Sequence, residues 1–419
     1  MRGLVLSALL LSSVAAAQEP PVGLWHARLV AVESHPVSFA VRVAKKGDGL
    51  AAVLINGSSE EPFSAVTWDG ETLTLLLAHY DAKISATRKG DSLAGTYTRV
   101  GASGPIQVPF NASRTPPPAP KLKKPGASVG GTWAVEIAEP KGVVKGTGLF
   151  RQQGTTVTGT VTTAAGDYGP LHGTFDGEDL VLTVFNGFFI YRFDAEVLPD
   201  GTLAGEFRQR ISPPADWKAK RLSEKTAADA ASGFEAVKAK NPDAPFVFSF
   251  PDANGKTVSS GDPAFSGKPM VVTFMGTWCP NCHDEAVVLR DLQARYRARG
   301  LEVVALTWEY TDDIERSRRL VSQFVARHGV NYPILFAGTT KTAAASGPRT
   351  QLDGFAGYPT TLYLDRSHRI VRVHSGFDGP ATGERHTRLK KEIDATVKTL
   401  LGSATSEFAV PGTAPPGLR

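Results

Sequence analysis

The chain contains two cysteines, three positions apart, in Trp278-Cys279-Pro280-Asn281-Cys282. No other feature of the 419 residues constrains the fold as strongly. A bridge closing so short a loop removes little chain entropy, so the pair is a poor structural staple. It follows a continuous apolar run, Met270–Met275, and precedes a helical pattern over residues 285–299 that Gly300 closes. The sulfurs therefore stand where a buried strand gives way to a helix. Unpaired N–H groups and the positive dipole end at that point stabilise a thiolate. Pro280 in the first turn forfeits no hydrogen bond, because that N–H has no helical partner. Cys279 can then attack a substrate disulfide, and Cys282 can resolve the mixed disulfide.

The surrounding pattern is α/β. Residues 246–250 and 257–258 predict a hairpin about Asn254-Gly255. Strands follow at 270–275, 301–308, 333–337, 360–364 and 370–374, and helices at 285–299, from 312 or 313 to 328, and at 384–401. In the last helix Leu389, Ile393, Val397 and Leu400 share one face.

The N-terminal half reads differently. Thr72-Leu-Thr-Leu75 alternates, and turn signals such as Asp69-Gly70, Asp176-Gly177 and Asp200-Gly201 recur. Two stretches resemble each other in order and spacing. Gly23-Leu-Trp25, Trp68-Asp69-Gly70, Asp81-Ala82 and Leu93-Ala94-Gly95 answer to Gly131-Thr-Trp133, Phe175-Asp176-Gly177, Asp194-Ala195 and Leu203-Ala204-Gly205. The expected architecture is multidomain: two duplicated antiparallel β domains, each a small sandwich or barrel, followed by an α/β domain. The boundaries expected are a signal peptide at 1–17, β domain 1 at 20–113, a Pro-rich linker at 114–128 and β domain 2 at 129–212. A linker helix at 213–243, the redox domain at 244–402 and a disordered tail at 403–419 complete the chain.

From residue 244 to 402 the chain resembles thioredoxin-fold reductases of the TlpA type. The matching residues are Ala244-Pro245-Phe246 with Asn254-Gly255-Lys256, Gly267-Lys268-Pro269, Gly276-Thr-Trp-Cys-Pro-Asn-Cys282 and Gly357-Tyr-Pro-Thr-Thr-Leu-Tyr-Leu-Asp365. The resemblance implies that Pro359 is a cis-proline facing the cysteines. It also implies a substrate-docking edge at Trp278, Pro280, Tyr358 and Thr360. The implied partners are protein disulfide or dithiol substrates and an upstream electron donor; the only redox group implied is the Cys279–Cys282 disulfide, with no separate cofactor or metal. Reduction is the favoured direction, with disulfide formation the alternative. Cytoplasmic thioredoxins carry a buried Asp six residues before the first cysteine, where this chain has Thr273. Glu309, at the end of the next strand, is the candidate replacement in proton transfer, against a strand-end Glu at the surface.

Cys279 to His283 also spells the CxxCH haem-attachment motif. The preceding buried strand, the helix-starting Pro280 and the absence of a suitable methionine (only Met1, Met270 and Met275 exist) count against haem. A histidine partner among His328, His368, His374 and His386 keeps that alternative open. His283 is otherwise expected either to act electrostatically on the thiolate or to be solvent-exposed. A peroxidatic PxxxTxxC arrangement fails on spacing, since Pro269 and Thr273 stand ten and six residues before Cys279.

A net charge of +5 with scattered Lys and Arg gives no nucleic-acid footprint. Arg2, the apolar stretch 4–14 and Ala15-Ala16-Ala17 predict a cleaved secretory signal. No stretch is long enough to span a bilayer as a helix. The expectation is a periplasmic or otherwise extracytoplasmic protein.

Overall fold

The computed structural model describes residues 19–210, 212–223, 237–343 and 347–402. The expected signal segment, the 224–236 part of the expected linker helix and the tail from 403 lie outside the described residues.

Residues 23–113 form a nine-stranded antiparallel sheet. Its first strand, Gly23–Leu29, lies mid-sheet between Val37–Lys46 and Gly104–Ser113, and the sheet ends at Ser59–Pro62 and Ala65–Trp68. The period-two pattern is obeyed closely: Leu73, Leu75 and Leu77 are each 1% exposed, while Thr74 and Leu76 between them are only half-buried. The next unit is a closed eight-stranded antiparallel barrel. Gly131–Glu139 lies between Gly142–Gln153 and Ala215–Arg221. The order continues through Leu203–Gln209, Ile190–Val197, Asp179–Phe185 and Leu171–Phe175 to Thr156–Thr163, which closes on Gly142–Gln153.

The structure moves two expected boundaries and ties down the linker between the β units. The barrel does not end at residue 212, because Ala215–Arg221 closes it, with Trp217 and Ala219 inward and Asp216, Lys218 and Lys220 outward. Pro213-Pro214 sits just outside this strand, where no ladder donor is lost. The Pro-rich segment 114–128 is bound at its end, where Lys123 N–H donates to Asp176 O at 2.6 Å and its ammonium lies 3.0 Å from the Asp176 carboxylate. The redox domain begins by Val237, not Ala244: Val237 is buried in that domain's core, and Lys238–Ala239 pairs with Leu352–Asp353.

The two β units share one hydrophobic core, joined where Phe39 meets Phe185 with ring centroids 4.6 Å apart. Asn56 fastens the seam by accepting from Phe185 N–H at 3.0 Å and donating to Pro170 O.

The C-terminal domain has a five-stranded sheet of β1 (Met270–Met275), β2 (Glu302–Glu309), β3 (Ile334–Thr339), β4 (Thr360–Leu364) and β5 (Ile370–Ser375), in the order β3-β2-β1-β4-β5. β1, β2 and β3 run parallel, whereas β4 and β5 are antiparallel additions. Helices α1 (Pro280–Tyr296), α2 (Ile314–His328) and α3 (Glu384–Gly402) pack on one face through Leu289, Phe324 and Ile393. The other face is covered by Phe246, Phe248 and Phe265. All six residues of β1 are buried, as coverage on both faces requires.

Candidate redox site

The site is assembled from the turn between β1 and α1. Glu309, at the end of β2, accepts from Thr277 N–H at 3.1 Å, Thr277 Oγ1 at 2.8 Å and Thr307 Oγ1 at 2.7 Å. Trp278 Nε1 donates to Trp308 O at 2.9 Å, pinning the next residue to the same strand. Cys279 then stands as the extended N-cap of α1 with Pro280 in the first turn, and its carbonyl accepts from Cys282 and His283 N–H. Its sulfur thus lies at the positive end of a 17-residue helix.

Across the turn the Tyr358–Pro359 peptide is cis. Cys279 Sγ donates to Tyr358 O at 3.4 Å, so the proline-bearing loop abuts the first cysteine. Both thiols are free, with Cys279 5% and Cys282 2% exposed. Burial first, and then the neighbouring Cys279, push the Cys282 thiol well above its ordinary range.

One turn beyond Cys282 lies a carboxyl that the sequence reading missed. Glu285 is buried, and accepts from Thr273 Oγ1 at 2.7 Å and Thr361 Oγ1 at 2.6 Å. Burial lifts it to about 7 against the pull of those two hydroxyls. Thr273 therefore carries no acid itself but orients one. The signal was the i, i+3 spacing of Cys282 and Glu285, which places both on one helix face. Glu309, for its part, is buried rather than at the surface, and its carboxylate is spent on the Thr277 turn.

His283 is neither exposed nor free. A carbonyl can only accept, so His283 Nε2–H donates to Thr277 O at 2.8 Å, and Nδ1 accepts from His328 Nε2–H at 2.6 Å. Burial keeps the ring neutral by lowering its pKa well below the usual value. With both nitrogens engaged, the residues do not fit the axial ligation that CxxCH would supply to a haem iron. Among the described residues no group of three or more His, Cys, Asp or Glu side chains is placed to hold a metal ion.

Of the expected docking residues, Trp278 and Tyr358 are half-buried and the other two are covered. Pro280 and Thr360 are buried, and Thr360 Oγ1 donates to Gly357 O at 2.7 Å. Trp278 lies stacked on Tyr310, with centroids 4.5 Å apart, and Phe188 of the barrel stacks near it at 5.8 Å. Tyr80 of the first β unit meets the His283 ring edge-on at 5.0 Å. The Tyr358 carbonyl meets the sulfur and the peptide that follows it is cis, beneath a cover the sequence did not announce.

Residues 237–388 match the Redoxin family model. The chain is 27% identical over 147 residues to the thiol-disulfide oxidoreductase ResA of Bacillus subtilis, covering 35% of this chain and 72% of that protein. It is 27% identical over 129 residues to ResA of Halalkalibacterium halodurans, covering 31% of this chain and 65% of that one. A solved thiol:disulfide interchange protein of the thioredoxin family from Chlorobium tepidum aligns at 26% identity and a TM-score of 0.30, over 39% of this chain and 100% of its own. The C-terminal part of the chain is a Redoxin domain of the ResA/TlpA type, and the protein that carries it is a thiol-disulfide oxidoreductase.

Proposed function

We propose that the protein reduces disulfides of other proteins in an extracytoplasmic compartment, through the Trp278-Cys279-Pro280-Asn281-Cys282 motif. The observation that carries this reading is the seat of Cys279, at the N-cap of α1 and 3.4 Å from the carbonyl that precedes Pro359. The Cys279 thiolate attacks a substrate disulfide, releasing one substrate thiolate and forming a mixed disulfide. Cys282, its proton passed to Glu285, attacks Cys279 Sγ and expels the second substrate thiolate. The Cys279–Cys282 disulfide left behind takes two electrons and two protons from an upstream dithiol donor. Glu309 serves as a positioning residue for the turn. No separate cofactor or metal enters the cycle. The residues before 19 act as the export signal in this reading. The two β units descend from one duplicated domain, a reading supported by the strand order they share.

The test is insulin-disulfide reduction with dithiothreitol, comparing the native chain with Cys279→Ala. The native protein accelerates precipitation and the variant does not; equal rates overturn the proposal. Titration against glutathione reads the direction, and a potential near the oxidising end of the roughly −270 to −120 mV range would assign disulfide formation instead.

A further inference from the structure

We propose that the barrel hairpin around Ala164–Asp167 is an intramolecular lid, seated against the proline-bearing loop where an incoming polypeptide would otherwise lie. This rests on the exchange reading above and adds its regulation.

The hairpin joins Thr156–Thr163 to Gly166–Asp167 in the barrel, yet its tip is bonded to the redox domain. Ser375 Oγ donates to Ala164 O at 2.9 Å, and Asp167 N–H donates to Phe377 O at 3.2 Å. Gly379 N–H donates to the Asp167 carboxylate at 2.6 Å, and Thr162 Oγ1 to that of Asp378 at 2.7 Å. Asn281, between the two cysteines, donates through Nδ2 to Asp167 O at 3.1 Å. The hairpin thus reaches the CxxC turn itself.

Glycines on both sides make the approach close. A Cβ on Gly376 would lie 2.4 Å from Gly166 N, and one on Gly166 would lie 2.0 Å from Asn281 Nδ2. A Cβ on Gly357, two residues before Pro359, would lie 3.1 Å from that of Ala165. Gly376 N–H in turn donates to Pro359 O at 2.8 Å, so the strip beneath the hairpin is continuous with the cis-proline loop.

Two features make this a lid rather than a second core. The bonds across it are polar, of a kind water replaces at modest net cost. The hairpin also holds its own shape, since Thr163 Oγ1 donates to Gly166 O at 3.2 Å and accepts from Ala165 N–H at 3.2 Å. It can therefore lift without unravelling.

The test uses the full chain, reduced. Cys279 alkylation is followed with iodoacetamide and with a polyethylene-glycol maleimide, in the native protein, in Thr162→Val/Ser375→Ala and in Gly166→Val. Losing two lid bonds should raise the rate with the bulky reagent about tenfold, with insulin reduction rising in step. In the native protein the Asp167 and Gly379 amide hydrogens should exchange with deuterium faster than those of Gly131–Glu139, with no substitution required. Unchanged bulky-reagent rates in both variants, or lid amides as protected as that strand, overturn the lid. Faster labelling without insulin reduction in any form upholds the lid and sinks the exchange reading instead.

Discussion

The carboxylates of Asp167 and Asp284 converge on Gly379: a Cβ there would lie 2.7 Å from one and 2.5 Å from the other. One belongs to the barrel hairpin and the other to α1, so two acids meet across the lid contact. Burial first, opposed by the Gly169 and Gly379 amides, leaves Asp167 at about 6. Burial first, then the charges of Asp167 and Glu61, carries Asp284 to about 8. Asp378 repels Asp167 further, and Glu61 is itself raised by burial despite Arg327 beside it.

The sign of the pH dependence follows. Freed from the contact, both acids would ionise near their ordinary value of 3.8. Between there and about 8 the closed form holds more protons than the open one, so closure weakens as pH rises. Its contribution is complete below 3.8 and gone above about 8. The thermal midpoint should therefore fall from pH 5 to pH 8.5, and Asp284→Asn should remove most of the slope that these two acids supply. A variant with the native slope would show that these acids do not meet across the contact.

Glu285 supplies a second pH signature. As the buried acid one turn from Cys282, at about 7, it is matched to receive the resolving thiol's proton near neutrality. Glu285→Gln keeps the volume and can still bond Thr273 and Thr361, but it cannot exchange a proton. Turnover should drop about a hundredfold, and the inflection near 7 should vanish from the pH–rate profile, while Cys279 alkylation is little altered. Retention of that inflection would transfer the role to another group.

Glu309 is expected to behave in the opposite way. Glu309→Leu leaves the Thr277 N–H buried without its acceptor, at a cost of about 1–3 kcal/mol. The expected result is a lower melting temperature with the inflection near 7 still present. Loss of the inflection, with stability intact, would restore Glu309 to proton transfer.

What could be read from the sequence was whatever local chemistry dictates. Pro280 after a buried strand marked the start of α1, and Gly300 and Gly329 marked helix ends, both in the left-handed region at φ 95° and 61°. The cis-proline was legible because a CxxC motif and Tyr358-Pro359-Thr360 occurred together. Glu285 was not, because a glutamate on a helix is ordinarily solvated and only the packing of Thr273 and Thr361 shows otherwise. The lid was invisible for a different reason. Thr162 and Asp378 are 216 positions apart, and a short Ala-Gly hairpin gives no sign of the surface on which it lands.

Trp217 tests the corrected edge of the barrel. The pair Pro213-Pro214 suggested a break, yet the alternation of Trp217 and Ala219 with charged neighbours is a strand pattern. The indole is 2% exposed, meets Phe193 edge-on at 5.1 Å and donates to Asp194 O at 2.9 Å, so it closes both the core and the ladder. Trp217→Ala should cost about 3–5 kcal/mol, read as a fall in the denaturant midpoint, whereas Lys218→Ala on the outward face should shift it by less than about 0.5 kcal/mol. The hairpin carrying Ala164–Asp167 extends from this same barrel, so the tryptophan variant should also admit the bulky maleimide to Cys279. Equal midpoints for the two variants would return 213–221 to the linker and remove the support beneath the lid.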